Sequence, residues 1–209
     1  MPQKAIVELI GTFFLVLVIG LTAIAPGAGP LGPLAIGLVL MVMVYAGAHI
    51  SGAHYNPAVT LAVWMRGACR AKDVPGYLIG QAGGAVLAAL FAGWVVRGLP
   101  IIPIEINWKR ALPLELVFTF ALAYVVLNVA TVKRTAGNSY FGLAIGMTVA
   151  AAAYAAGGIS GGMFNPAVAV GLTVLGLSQG DNLWVYLLAT LAGGALAALA
   201  FKFTNTDRS

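Results

Sequence analysis

Apolar residues in this chain run in unbroken blocks, without the alternation of strands or the one-sided stripe of surface helices. Six blocks, residues 4–24, 33–50, 74–96, 113–132, 138–157 and 182–201, approach the roughly 20 residues that cross a bilayer as helix. Two shorter apolar pieces, 57–65 and 166–175, reach only about 15 Å at the helical rise, half the hydrocarbon thickness. They are predicted to be re-entrant half-helices that enter and leave on the same side.

Each short piece follows the same phrase. Residues 51–59 and 160–168 both read Ser-Gly-x-x-x-Asn-Pro-Ala-Val. Asn before Pro is a helix start, because the Asn side chain accepts from orphan amides and Pro at the first helical position loses no needed donor. The repetition extends further: Glu8-Leu-Ile-Gly-Thr-Phe is echoed 107 residues later from Glu115, and Ala35-Ile-Gly, Ile50-Ser-Gly and Ala82-Gly-Gly-Ala recur at offsets of 109 to 110. The chain is therefore one unit written twice, with residues 1–98 the first repeat, 99–112 an extracytoplasmic connector and 113–209 the second. Three spans per unit is an odd number, so the second copy enters the membrane inverted.

Composition agrees. Of 209 residues 61% are hydrophobic and 8% charged, with mean hydropathy +0.97, and a water-facing surface cannot be assembled from the remainder. The formal charge of +5 is explained by topology rather than by a nucleic-acid partner. With a cytoplasmic N-terminus, Lys4, Arg66, Arg70, Lys72, Lys133, Arg134, Lys202 and Arg208 lie inside, and Arg97, Lys109 and Arg110 outside, as the positive-inside rule favours. Both termini are thus expected in the cytoplasm, in a cell inner or plasma membrane. Cys69, the single cysteine, cannot form an intramolecular disulfide.

Inverted repeats bring their broken segments together near the midplane, where half-helix N-termini carry partial positive charge. Irregular backbone at that depth persists only inside protein or along a wet cavity. The loops Ser51 to Tyr55 and Ser160 to Phe164 are therefore expected to wall a pore, their carbonyls met by water or solute, with Gly52, Ala53, His54, Tyr55, Gly161, Gly162, Met163 and Phe164 lining it. Asn56 and Asn165 cap the half-helices or line the pore, and the two roles are compatible. Glu8 and Glu115 are intramembrane carboxylates, by default transport groups such as a proton relay; their equivalent places in the two repeats favour support of the two loops instead. His54 is read as a neutral wall residue or as a pH-sensitive one, and His49 as a packed helix-end residue. Phe13, Phe14, Trp184 and Tyr186 are expected to face lipid or the interface.

The two Asn-Pro-Ala motifs, the stretch His-Ile-Ser-Gly-Ala-His-Tyr-Asn-Pro-Ala-Val-Thr from His49, Gln81 in the third span and a glutamate in spans one and four together resemble the aquaporin and aquaglyceroporin family, the major intrinsic proteins. The resemblance covers nearly the whole chain. It implies an all-α membrane fold of six transmembrane helices plus two half-helices as an inverted repeat, in a right-handed bundle. It further implies a homotetramer with one pore per subunit, conducting water and small neutral solutes such as glycerol, urea, ammonia or hydrogen peroxide. By the same resemblance the pore motifs are Asn56, Pro57, Ala58, Asn165, Pro166 and Ala167, with both asparagine amides donating into the lumen. Glu8 and Glu115 would support the loops.

One departure stands out. Spacing from Asn56 and Asn165 carries the family's selectivity constriction onto Ile36, Ala153, Gly162 and Val168, where the family usually has an aromatic and an arginine. Small groups widen this neck, and loss of the guanidinium removes donors and a fixed charge. Such a gate is expected to sort by size and polarity. The rival readings are a secondary transporter, which needs coupling acids, and a weakly ion-conducting pore, which the missing arginine favours. The sequence contains no phosphate loop, metal-ligand spacing or nucleophile with a base, so neither an enzyme nor a cofactor or metal is expected. Cys69 lies away from the second motif, and weak mercury sensitivity follows.

Overall fold

A computed structural model describes residues 2–25 and 28–205; Arg208, counted above on the inner side, lies outside them. The described residues form eight α-helices: α1 Pro2–Ile24, α2 Gly32–Ser51, α3 Pro57–Arg66, α4 Val74–Val95, α5 Trp108–Ala130, α6 Phe141–Ser160, α7 Pro166–Leu175 and α8 Leu183–Thr204. Six are long and apolar enough to cross a membrane. The ten-residue α3 and α7 are the half-helices.

Three boundaries, in two helices, differ from expectation for local reasons. Helix α5 starts before Pro113, because Asn107 caps it by accepting from Lys109 N at 3.0 Å, and Pro113 is carried inside the helix. Helix α6 starts later and runs past Gly157. Asn138 at its entry is consumed by a turn, donating to Val129 O at 2.8 Å, and the stop is Gly161 in the left-handed region at φ 91°. Gly52, at φ 89°, stops α2 in the same way.

Helix α1 packs on α4, α5 on α8, and α2 on α6. The first two contacts are backbone-close: a Cβ on Gly84 would overlap Leu9 O, and one on Gly193 would overlap Leu116 O. Small residues permit such approach where lipid offers no hydrophobic drive between helices. These contacts also correct the register of the repeat. Gly84 corresponds to Gly193, an offset of 109, so the visible Ala-Gly-Gly-Ala match at 110 is displaced by one residue. Gly37 of α2 and Gly146 of α6 face each other, each leaving no room for a side chain on the other.

The connector between the repeats is pinned rather than loose. Ile104 N donates to Leu177 O at 2.8 Å, and Ile104 lies over Gly161. At the opposite end, Lys4 and Arg70 both contact Asp73 Oδ2 at 3.0 Å. Arg66, at the end of α3, donates to Thr131 O and sits over the Phe201 ring.

Candidate pore

The two loops are built on the two buried glutamates. Both carboxylates are wholly buried, and isolated charges there would be prohibitive. Glu8 Oε1 accepts from Ser51 Oγ at 2.7 Å and His54 N at 2.9 Å, and Oε2 from Tyr55 N at 2.6 Å and Gln81 Nε2 at 2.8 Å. Glu115 repeats the pattern with Ser160 Oγ at 2.7 Å, Met163 N at 3.0 Å and Phe164 N at 2.6 Å. The first carboxylate has one more donor. Thr190, at the place of Gln81 in the second repeat, turns its hydroxyl back to Tyr186 O.

These bonds hold a backbone that is otherwise unfavourable. Ala53, Tyr55 and Phe164 have φ of 53°, 51° and 48°, and Gly162 has φ 65°, a region in which a side chain at Cβ is crowded. Tyr77 donates its hydroxyl to Ser51 O, and Tyr186 donates to Ser160 O at 2.8 Å. Tyr186 is therefore fully buried loop support and not a lipid anchor, and Phe13 packs against the core. Phe14 and Trp184 are exposed as expected. His49 lies on an exposed helix face and is not packed.

Asn56 caps α3, its Oδ1 accepting from Ala58 N at 2.8 Å and Val59 N at 3.4 Å, and Asn165 caps α7 through Ala167 N at 2.8 Å. Pro57 and Pro166 occupy the first helical positions. Only part of each amide is left for the lumen. Asn56 Nδ2 donates across to Phe164 O at 2.9 Å and Asn165 Nδ2 to Tyr55 O at 2.8 Å, so one of two amide hydrogens per side chain remains. The loop carbonyls divide likewise. Those of Ser51, Tyr55, Ser160 and Phe164 accept from protein, against the expectation that water meets them all. Those of Gly52, Ala53, His54, Gly161, Gly162 and Met163 receive no protein donor among the described residues.

Around the crossed asparagines lies a throat of about 30 Å³, room for about two waters. Ala53, His54, Tyr55, Gly162, Met163 and Phe164 line it together with Asn56 and Asn165. Ile36 and Val168 line it as well, while Ala153 packs against the cluster of Ala152, Ala156 and Phe164. Gly161 sits beneath Ile104 and the Tyr186 hydroxyl. The rest of the wall is aliphatic and was not singled out in the sequence: Leu15 and Leu122, Ile19 and Val126, Leu40 and Val149, Val59 and Ile145. Each is a repeat-related pair or half of one, and the duplication was the signal that could have found them.

His54 separates the throat from a vestibule of about 490 Å³, bordering both. Gly52 belongs to that vestibule. The hydroxyl of Thr60 donates to Asn56 O at 3.0 Å and accepts from Gln81 Nε2 at 2.9 Å, so the 3.1 Å contact with His54 is a donation from Nδ1. That bond orients the ring and leaves Nε2, close to Gly52, as its free nitrogen.

Six crossing helices, two half-helices meeting N-terminus to N-terminus, and a narrow throat with amides on an aliphatic wall define a membrane channel with an inverted-repeat pore. Residues 3–201 match the major intrinsic protein family. The chain is 38% identical over 221 residues to Aquaporin NIP1-1 of Oryza sativa subsp. japonica, covering 97% of this chain and 75% of that protein. It is 36% identical to Aquaporin NIP2-1 of the same plant, covering 98% and 71%. Its fold superposes on the aquaglyceroporin from Plasmodium falciparum with a TM-score of 0.82 at 23% identity, over 95% of this chain and 94% of that one. The chain belongs to the major intrinsic protein family; it is a passive membrane channel, of the class that conducts water and small neutral solutes, and not an enzyme.

Proposed function

We propose that this channel passes water together with small neutral solutes of the size of urea or glycerol, through one pore in each subunit of a homotetramer, with both termini cytoplasmic. The observation that carries the reading is the chemistry of the throat. Its polar groups are neutral amides, loop carbonyls and one imidazole, on a wall of aliphatic side chains. Two half-helix N-termini meeting there, each worth roughly half a positive charge, oppose cations. At the outer neck Ile36, Ala153, Gly162 and Val168 offer no guanidinium and no aromatic ring, so an entering solute meets neither a fixed charge nor a bulky ring and is sorted there by polarity.

A secondary transporter needs an acid free to exchange protons or ions. The four donors on Glu8 and the three on Glu115 occupy both oxygens of each carboxylate, which argues against that reading. A weak ion leak at the arginine-free neck is the second reading, favoured by the same absent charge.

Stopped-flow light scattering on proteoliposomes tests the proposal. Fast shrinkage in sucrose followed by fast reswelling in glycerol or urea is expected. Shrinkage without reswelling would confine the channel to water, and saturable flux tied to an ion gradient would replace it with a transporter.

A further inference from the structure

The repeat supplies each residue of the outer neck with a counterpart on the cytoplasmic side. The offset of 109 is physical as well as textual: Asn56 and Asn165 cap, Tyr77 and Tyr186 hold the loop serines, and Gly84 and Gly193 seat the helix pairs. The same offset pairs Ile36 with Ile145, Gly162 with Ala53, Val168 with Val59 and Ala153 with Val44. The first three pairs all line the throat. The fourth members both stand back from it, Ala153 against the cluster of Ala152, Ala156 and Phe164, and Val44 in the wall of an adjoining inner pocket of about 370 Å³.

The two rings do not carry equal side chains. Ile corresponds to Ile and Val to Val, but Ala53 carries one carbon more than Gly162, and Val44 two more than Ala153. Ala53 also keeps its methyl in the left-handed region, at φ 53°, where glycine is the unstrained choice. Next in sequence the inner side has His54, oriented by Thr60, and the outer side has Met163, a flexible unbranched chain that yields readily. In a family member with a bulky aromatic and an arginine outside, this inner difference is of no consequence. Here those groups are absent.

We propose that the size limit for solutes in this channel lies at the inner ring of Ala53, Val59 and Ile145, with Val44 behind it, and not at the outer neck. This rests on the reading above that the pore carries neutral solutes. The outer neck admits a solute, and the inner ring decides whether it leaves.

The test compares Ala53→Gly and Val59→Ala with Val168→Ala in proteoliposomes, using urea, glycerol and a four-carbon polyol as probes and water permeability as the internal reference. Ala53→Gly removes a methyl and relaxes its backbone, so it does not depend on tolerance of a core cavity. The expected result is a rise of about fivefold or more in the ratio of polyol to water permeability for Ala53→Gly, with a rise under about twofold for Val168→Ala. If the unaltered channel passes water alone, Ala53→Gly is the variant expected to admit glycerol. The reverse ranking, or no change in the ratio for Ala53→Gly and Val59→Ala while water still flows, overturns the inner-ring assignment and leaves the channel reading standing. An unaltered protein with no water permeability above empty liposomes overturns the channel reading itself.

Discussion

Asn56 and Asn165 are bound to each other's loops: Asn56 Nδ2 reaches Phe164 O at 2.9 Å, and Asn165 Nδ2 reaches Tyr55 O at 2.8 Å. Each side chain thus caps its own half-helix through oxygen and clamps the opposite loop through nitrogen. The pore centre is consequently a single polar unit spanning both repeats, although the residues involved are more than a hundred positions apart in sequence.

From this clamp follows a separation of stability from ion exclusion. Asn165→Ala loses a cap worth about 1 kcal/mol and strands the buried Tyr55 carbonyl at a further 1–3 kcal/mol or so, so thermal unfolding in detergent is expected to occur several degrees lower. Asn165→Asp keeps the cap oxygen but sets a carboxylate against that carbonyl and at the positive ends of α3 and α7. Cation current in planar bilayers is expected for Asn165→Asp and not for the unaltered channel; equal currents would mean the helix ends are not the barrier.

The glutamates give a ranked pair. Replacing either by Gln turns one acceptor oxygen into a donor that faces loop amides, and hydrogen bonds to charged groups are worth about 1.5–3 kcal/mol each. Both variants are expected to be destabilised, Glu8→Gln more than Glu115→Gln, because Gln81 adds a donor to Glu8 that Thr190 does not add to Glu115. Equal loss, or full stability with altered dependence on a proton gradient, would return these acids to a transport role.

Most of the fold was legible in the sequence because apolar length and an exact phrase repeated twice are local signals. Glu8 and Glu115 were legible from their equivalent places. The role of Tyr186 was not: beside Trp184 it has the composition of an interfacial anchor, and only the position of Ser160 reveals that its hydroxyl points inward. The crossed amide bonds were equally hidden, since they depend on how two inverted loops meet. The end of α6 at Gly161 was not legible, because Gly157 and Gly158 offer an earlier stop that the helix runs through, whereas the end of α2 at Gly52 fell within a residue of expectation.

Val168→Arg should restore what the outer neck lacks. A guanidinium there adds a fixed charge and several donors in a narrow, apolar passage, so glycerol and urea permeability is expected to fall about tenfold or more while water flow falls by no more than a few fold. Stopped-flow traces of the two proteins at matched density decide it. An unchanged solute range would mean that residue 168 does not face the conduction path.

Cys69 provides a last check, on the geometry of the vestibule beside His54. Its thiol lines the wide vestibule of about 490 Å³ rather than the throat, so a mercurial on Sγ obstructs little, and water flux is expected to fall by less than half. Burial, with Asp73 adding to it, pushes this thiol above the ordinary cysteine value. Because only the thiolate reacts, a raised value leaves less of it at neutral pH, and alkylation should be slow at pH 7 and still accelerating above pH 9. Near-complete block abolished by Cys69→Ser would move the thiol into the throat, and alkylation that levels off below pH 8 would remove the case for its burial.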